Sequence, residues 1–362
     1  MPSSSTSWTL YPSNHEAWEA MLADCARATT SIDLEQFIFV KDDFGQRLID
    51  ICSERAKAGV KVRFLWDAAG SFSFWGSSIA AELKEQGIEL IFWKTLIPGY
   101  FNLPSIRSWF LRNHRRALII DEKVGYTGSI CIQDAMKNWR DTNVRLEGAV
   151  VRSMAYEFNS MWSKAQGSSQ PPTPPATHSD AEFSYITNSP SPRKRHLYRT
   201  VLSAIRTATK HIYITTPYFV PTHRLLRALK RAAHRGVDVR ILLPEKSDHY
   251  PALDLGARSY FQTLLESGVH IFLYEGNIVH SKTIVIDDTW ASVGSMNFDS
   301  VSLLYNYEAN IVTSNNRFAE ELSSHFATDI GSATEVNLST WHNRFFIEKI
   351  PEMLIKVVRR FL

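Results

Sequence analysis

The stretch 112–122, RNHRRALIIDE, has the same pattern as the stretch 278–288, IVHSKTIVIDD. In each, a histidine is followed two positions later by a cation, and five positions after that by an aspartate. A buried strand needs the apolar run of each stretch but not the histidine and the cation that precede it. The repeat therefore indicates a duplicated folding unit, and its polar residues indicate a functional site.

Helices and strands follow the same order in both halves of the chain. A helical pattern at 44–59 leads into an apolar stretch at 60–68, and 224–236 leads likewise into 237–244. The helices have apolar residues three and four positions apart and end at glycine, while the strands are apolar on both faces. We therefore predict an α/β fold with parallel pairing in two tandem units. One large α/β domain with a linker is the alternative.

A proline-rich stretch divides the two halves. Residues 171–175, PPTPP, contain four prolines within a run of small polar residues, which is typical of a semi-rigid linker or surface loop. The sequence predicts an N-terminal domain at 1–165, a linker at 166–182 and a C-terminal domain at 183–340. It also predicts a basic amphipathic helix at 341–362.

The composition is that of a folded protein without a membrane span. The chain has 362 residues, of which 44% are hydrophobic and 21% charged, and its net charge is only +3. This weak basic surplus argues against a nucleic-acid partner. The three cysteines show neither a disulfide framework nor metal-ligand spacing. The start lacks the pattern of a secretory signal, and the longest uncharged runs, 68–81 and 95–106, are too short to span a bilayer.

Aligning the two histidines brings further polar residues into register. Gly-Ser follows fourteen positions after each histidine, and an acid-x-Asn triplet comes later in each half. Residues i and i+2 of a strand face the same side, so we expect each histidine and its cation to point into one cleft. The matched pairs are His114 with His280, Arg116 with Lys282, Ser129 with Ser295, and Asp141 with Glu308.

Two histidines with two cations suit the displacement of a phosphodiester. Cations and hydroxyls can hold the negative phosphoryl group, so we predict that Arg116, Lys282, Ser129 and Ser295 bind it. One neutral imidazole can attack phosphorus while a protonated one donates to the leaving alkoxide. A carboxylate behind each ring would fix its tautomer, and Asp141 and Glu308 are the candidates. Which carboxylate serves which ring is left open.

The last residues of the two motifs, Asp121 and Asp287, are further candidates for catalysis. Each aspartate directly follows an apolar run that we interpret as a strand. Aspartate is also common in turns, where its carboxylate accepts hydrogen bonds from nearby backbone groups. A capping or turn role is therefore the alternative for both.

The doubled H-x-[KR]-x4-D motif, each copy followed by Gly-Ser, resembles the phospholipase D superfamily. Stretches such as WRDTNVRLEG, ITTPYFVP and HSKTIVIDDTWASVGSMNFD are similar to bacterial-type cardiolipin synthases, and the resemblance covers about residues 14–340. It implies two α/β/α sandwich domains related by a pseudo-twofold axis. It also implies phosphatidyl transfer from phosphatidylglycerol to a second phosphatidylglycerol through a phosphohistidine, with no metal or cofactor. His114 would be the nucleophile, His280 the acid, and Asn297 part of the phosphate site.

The chain departs from the pattern of this family at several positions. Arg116 stands in place of a lysine, Cys131 stands where the second half has Asn297, and Asn143 stands where the synthases tend to have histidine. The N-terminal membrane spans usual in the family are not found either. These departures put the acceptor alcohol in question. The alternatives are a phospholipase D that forms phosphatidic acid, a nucleic-acid phosphodiesterase, and a scaffold without activity.

Two segments are candidates for contact with a lipid surface. The segment 95–112 contains Trp109 and Phe110, and the C-terminal segment has apolar and basic residues on different faces of a helix. In the latter we expect contacts from Phe346, Ile350, Lys356 and Arg360. A helix packed on the core is the alternative for the C-terminus. The sequence thus predicts a cytoplasmic protein that associates peripherally with the membrane and acts on an anionic glycerophospholipid.

Overall fold

The computed structural model describes residues 6–74, 77–94, 111–168, 172, 180, 182–249 and 251–344. The first half forms a seven-stranded sheet with strand order β1-β7-β6-β5-β2-β3-β4. Its strands are β1 (Ser7–Ser13), β2 (Ser31–Gln36), β3 (Lys61–Asp67), β4 (Ile88–Trp93), β5 (Ala117–Ile120), β6 (Val124–Gly128) and β7 (Arg140–Glu147). Its described helices are α1 (Asn14–Ala26), α2 (Asp43–Lys57), α3 (Ile79–Glu85) and α4 (Ala149–Ala165).

The second half forms an eight-stranded sheet with strand order β15-β11-β10-β9-β12-β13-β14-β8. Its strands are β8 (Phe183–Asn188), β9 (His211–Thr215), β10 (Asp238–Pro244), β11 (His270–Tyr274), β12 (Thr283–Ile286), β13 (Trp290–Gly294), β14 (Glu308–Thr313) and β15 (Ala333–Glu335). Its described helices are α5 (His196–Thr207), α6 (His223–His234), α7 (Ala252–Leu265), α8 (Ser300–Leu304), α9 (Asn316–Ile330) and α10 (Leu338–His342).

The predicted parallel pairing is confirmed for only part of each sheet. Strands β2, β3 and β4 are parallel, as are β9, β10 and β11, and helices connect them. The strands that carry the repeated motif, β5 and β12, instead pair antiparallel on both sides. Each is followed by a short turn into the next strand, and a turn of that length can only join antiparallel neighbours. The α/β fold class is confirmed, with mixed sheets.

The two halves have separate cores and also share one. One buried apolar cluster lies in the first half and a second in the second half. A third contains α4 together with strands and helices of both halves. In it, Phe158 of α4 lies in one cluster with Phe183 of β8 and Phe318 of α9. This shared packing fixes the two repeated motifs relative to each other.

Several predictions fall on residues that the structure does not describe. They include most of the linker 166–182 and all of 345–362. The predicted lipid contacts Trp109, Phe110, Phe346, Ile350, Lys356 and Arg360 also lie outside the described residues. Of the helices that are described, none is long and apolar enough to cross a bilayer.

Candidate active site

His114 lies just before β5 and contacts a carboxylate of the other half. Its backbone N–H donates to the carbonyl of Tyr307 at 3.0 Å, so the segment before β5 is attached to the start of β14. Its ring Nδ1 lies 3.0 and 3.1 Å from the two carboxylate oxygens of Glu308, which is fully buried.

His280 has the complementary arrangement. Its backbone N–H donates to the carbonyl of Arg140 at 2.8 Å, and its Nδ1 lies 3.2 Å from Oδ2 of Asp141. The first half therefore supplies the carboxylate for the second histidine, and the second half supplies the carboxylate for the first. The sequence left this pairing open. The crossed arrangement means that neither half contains a complete histidine–carboxylate pair.

The two cations contact the opposite edges of the rings. Arg116 Nη2 lies 3.0 Å from Nε2 of His114, and Lys282 Nζ lies 3.1 Å from Nε2 of His280. Because each Nδ1 faces a carboxylate, we place the proton of the neutral ring there, which leaves a lone pair on Nε2. That lone pair accepts a hydrogen bond from the cation. A phosphate oxygen could replace Nε2 as the acceptor of the cation's hydrogen bond, which would leave the lone pair of Nε2 available.

Electrostatics keep both histidine rings neutral near pH 7. Burial lowers the pKa of His114 to about 4, with a further contribution from the charge of Arg116. Burial likewise lowers the pKa of His280 to about 4, helped by Lys282. The charge of Lys282 also acts on His114, and that of Arg116 on His280, so the two motifs form one electrostatic site.

The second cation is itself perturbed. Burial and the nearby positive charge of Arg116 together lower the pKa of Lys282 to about 7. Arg116 remains charged, because burial is outweighed by contacts that raise its pKa. The site thus combines a permanent cation in the first half with a cation that titrates near neutrality in the second.

Ser129 and Ser295 contact the carboxylates and not an open phosphate site. The hydroxyl of Ser129 donates to Asp141, and that of Ser295 donates to Glu308 at 2.5 Å. Ser302, which the sequence did not single out, donates to the other oxygen of Glu308 at 2.6 Å. These contacts favour a role for the two serines in holding the carboxylates over the predicted role as phosphate ligands. Their protons are used to hold the carboxylates against the histidines.

The glycines of the Gly-Ser pairs allow this close approach. A Cβ on Gly128 would lie 2.3 Å from Oδ1 of Asn143, and a Cβ on Gly294 would lie 2.4 Å from Oδ1 of Asn310. These amide oxygens accept the backbone N–H groups of Ile130 and Met296. The acid-x-Asn triplet and the Gly-Ser pair are therefore parts of one packed unit in each half.

The aspartates that end the two motifs anchor loops at the far ends of β5 and β12. Asp121 accepts the backbone N–H groups of Thr29, Thr30 and Ser31. Asp287 accepts those of Thr209, Lys210 and His211.

These hydrogen bonds outweigh burial, which acts in the opposite direction, and hold the pKa of both carboxyls below its ordinary value. Both aspartates also have φ near +55°, at 54° for Asp121 and 55° for Asp287, a conformation that aspartate tolerates in turns. Of the two roles that the sequence left open for Asp121 and Asp287, these contacts favour the turn role over catalysis.

Cys131 and Asn297 occupy matching positions with different contacts. Nε of Arg116 lies 3.3 Å from the sulfur of Cys131, which is fully buried. Asn297 is also buried, and its Oδ1 accepts no hydrogen bond from the described residues. The predicted role of Asn297 in binding the phosphate would use its amide N–H donors and not Oδ1, which can only accept.

Aromatic side chains line both histidines. Phe37 lies 4.8 Å from the ring of His114, while Trp139 and Tyr218 lie 5.4 and 6.5 Å from that of His280. None of these three side chains carried a recognisable signal for this position in the sequence. They exclude water from the rings on the sides that the carboxylates and cations leave open.

One basic residue of the segment 95–112, which we predicted to contact lipid, is buried in the protein. Arg112 is buried and pairs with Asp67, with Nη2 2.7 Å from Oδ1. It therefore supports the segment before His114 and does not face a lipid surface. Among the residues that the structure describes, no group of three or more His, Cys, Asp or Glu side chains could hold a metal ion.

Comparisons with known proteins agree with the geometry. The family described as "Cardiolipin synthase, PLD-like domain" matches residues 21–162 and 201–330. A cardiolipin synthase of Clostridium perfringens is 32% identical over 366 residues, which cover 96% of this chain and 75% of that protein. A probable cardiolipin synthase of Bacillus subtilis is 31% identical over 343 residues, covering 91% of this chain and 67% of that protein.

A solved structure has the same overall fold. The crystal structure of phosphatidylserine synthase from Haemophilus influenzae superposes with a TM-score of 0.74 at 14% identity. The match covers 98% of this chain and 92% of that one.

Proposed function

This chain belongs to the cardiolipin synthase family of phospholipase D-like proteins, and we propose that it transfers a phosphatidyl group from phosphatidylglycerol to a second phosphatidylglycerol. The crossed pairing of His114 with Glu308 and His280 with Asp141 carries this proposal. A phosphodiester exchange needs a nucleophile and an acid at one phosphorus, and two oriented imidazoles provide both.

The first step forms a phosphohistidine. Arg116 and Lys282 bind the phosphate oxygens, which releases the lone pair on Nε2 of His114. That nitrogen forms a bond to phosphorus while the bond from phosphorus to the glycerol oxygen breaks. The imidazolium of His280 gives its Nε2 proton to the departing oxygen, and glycerol leaves.

The second step regenerates the enzyme. His280, now neutral, accepts the proton of a hydroxyl on the second phosphatidylglycerol, and the oxygen of that hydroxyl attacks phosphorus. The bond between phosphorus and His114 breaks, and cardiolipin is released. Glu308 and Asp141 keep the Nδ1 protons of the two rings in place through both steps.

Protonation of His280 requires the substrate. Its pKa of about 4 in the empty site would leave it neutral at pH 7. A bound phosphodiester brings a negative charge beside the ring and draws the charge of Lys282 toward itself, and both changes raise the pKa of His280. Substrate binding thus prepares the acid.

The proposal includes peripheral contact with the membrane on its cytoplasmic side. The scissile phosphate of a glycerophospholipid lies at the headgroup level, so the enzyme has to dock there. The segments 95–112 and 341–362 are the candidates for that contact, on the basis of their aromatic and basic residues.

The test is to incubate the purified protein with phosphatidylglycerol vesicles and to separate the lipid and water-soluble products. We expect cardiolipin and glycerol in equal amounts, and none from the His114→Ala variant. Phosphatidic acid with glycerol would show that water is the acceptor. Neither product from phosphatidylglycerol, together with cleavage of single-stranded DNA, would overturn the proposal.

A further inference from the structure

A surface cavity with both polar and apolar walls lies beside the candidate active site, and it includes none of the two histidines, their cations or their carboxylates. His114 and Arg116 contact each other, but Arg115 between them lines a different cavity, of about 490 Å³. The cavity lies between α4 and the beginning of the second half. Besides Arg115 its polar wall contains Glu157, Lys164, Thr187, Ser189, Lys194 and His196.

The charged groups of this wall are mostly cationic. Lys164 and Lys194 are exposed, and Arg115 is only 3% exposed. The acidic residue of the wall is Glu157, whose Oε2 lies 3.4 Å from Nη1 of Arg115. The buried acid Glu35 also acts on Arg115, and it accepts a hydrogen bond from Asn113. The two lysines remain unbalanced by acids of the wall.

Arg115 has unused donors. Its Nε and Nη1 are buried and donate no hydrogen bond to the described residues, although Nη1 forms an ion pair with Glu157 at 3.4 Å. A buried donor without a hydrogen-bond acceptor is unfavourable, and more so when the group is charged. A ligand with several acceptor oxygens would remove this cost if the guanidinium turned toward the cavity it lines.

The wall also includes the beginning of a helix. His196 is the first residue of α5, which has 12 residues, and the residue before it, Arg195, caps the helix with no side-chain hydrogen bond. The N–H of Tyr198 in the first turn donates to Oδ1 of Asn188 at 3.5 Å. The remaining N–H groups of a first turn and the helix dipole favour an anion at this end. The hydroxyls of Thr187 and Ser189 can donate to the same ligand.

From these contacts we infer a second anion site, behind the nucleophile, that binds a phosphate group. Cations from three segments, two hydroxyls and a helix N-terminus are the donors that proteins use for phosphate. The chemistry recognised is the phosphate group itself, which a phospholipid headgroup and a soluble phosphate share.

The site is connected to the proposed catalytic residues through Tyr307. Its ring belongs to the wall of the cavity and lies 4.3 Å from Nζ of Lys164, and its carbonyl accepts the N–H of His114. The next residue is Glu308, which holds the ring of His114. An anion bound to Lys164 and Arg115 therefore lies against the segments that position His114, on the side of these segments away from the candidate active site.

The test is isothermal titration of the full chain with inorganic phosphate, with glycerol 3-phosphate and with dihexanoyl phosphatidic acid. We expect two phosphate sites in the wild type and one in the Lys164→Ala/Lys194→Ala variant. The affinity of the lost site should fall at least tenfold. The control is Lys123→Ala/Lys210→Ala, which removes the same charge from two exposed turn residues and should keep both sites.

Activity of each variant on a soluble phosphodiester shows whether the active site is intact. Binding of all three ligands would identify the phosphate group as the determinant, and binding of the lipid alone would identify a headgroup site. Equal site numbers and affinities in wild type and Lys164→Ala/Lys194→Ala would overturn the inference. The readout is binding, so it stands apart from whether the proposed transfer reaction occurs.

Discussion

The two halves of the site have similar histidines but different cations. In the first half, Arg116 contacts both His114 and the thiol of Cys131. In the second half, Lys282 contacts His280, and the residue that matches Cys131 is Asn297. Arginine keeps its charge at every physiological pH, whereas the pKa of Lys282 is lowered to about 7 by burial and by Arg116.

This difference favours a nucleophile in the first half and an acid in the second. A fixed cation beside His114 opposes its protonation at every pH, as attack through Nε2 requires. A titrating lysine beside His280 can lose charge or turn toward the phosphate, and either change makes protonation of the ring easier. The asymmetry of the cations therefore agrees with the roles that the family resemblance implies.

The largest effect should come from replacing either histidine. The roles of the two histidines can be distinguished with two substrates, one whose leaving group needs a proton and one whose leaving group does not. His280→Ala should slow transfer from phosphatidylglycerol by about 10²–10⁴, because the glycerol oxygen then leaves without a proton. The same variant should form the phosphohistidine from a p-nitrophenyl phosphodiester at a rate within about tenfold of wild type, since nitrophenolate needs no acid. His114→Ala should lose both reactions. Release of nitrophenolate and the intact mass of the quenched protein measure the adduct.

The opposite result would exchange the roles. If His114→Ala formed an adduct with the activated ester and His280→Ala did not, the nucleophile would lie in the second half. Wild-type thermal stability of both variants is the control, because both rings are buried and their loss could disturb the fold.

The sequence predicted the repeated unit and most of its chemistry because that information is local. The helix and strand patterns predicted the parallel strands β3 and β10. The doubled motif singled out His114, Arg116, His280 and Lys282, which the structure brings into contact as two histidine–cation pairs. The antiparallel half of each sheet was missed, because short motif strands such as β5 and β12 do not reveal their partners. The strand β1 was missed as well.

What the sequence could not predict concerns contacts between distant segments. Periodicity does not tell that Glu308 would reach His114 across 194 positions, or Asp141 would reach His280 across 139. We predicted that the two serines bind the phosphate because a hydroxyl can donate a hydrogen bond to a phosphate oxygen. Which acceptor each serine hydroxyl contacts depends on the strand that packs beside it. The turn role of Asp121 likewise depends on the segment that packs beside it.

A smaller effect should come from exchanging the cations. The kcat/KM of the wild type should fall as pH rises through the pKa of Lys282, about 7, because the neutral amine no longer holds the phosphate. Lys282→Arg keeps its charge, so this fall should disappear or move by at least about two pH units. The measurement is the pH profile of kcat/KM with a soluble phosphodiester, which avoids effects of pH on vesicles.

The matched variant for this test is Arg116→Lys. It should lower kcat/KM at pH 7 by roughly ten- to a hundredfold, since one planar donor that contacts His114 and Cys131 is replaced by a single ammonium. It should also add a second fall above neutrality, because two buried lysines then face each other. An unchanged profile in Lys282→Arg would mean that another group causes the fall.

The smallest effect on activity should come from substituting Asp121 or Asp287. This substitution tests whether the two aspartates act in catalysis, as their place in the motif suggests, or stabilise turns, as their contacts suggest. Asp121→Asn or Asp287→Asn removes a charged acceptor of three backbone N–H groups, so each should lower the free energy of unfolding by about 1–3 kcal/mol.

Because their pKa is lowered in the folded protein, this stability is present above the ordinary aspartate pKa of about 4 and is lost as pH falls below it. The variants should therefore differ from wild type in urea unfolding at pH 7 and converge with it toward pH 3. Their kcat on phosphatidylglycerol should stay within about threefold, the scatter that a remote change in positioning produces. A loss of kcat by a hundredfold with unchanged stability would place these carboxylates in the chemistry after all.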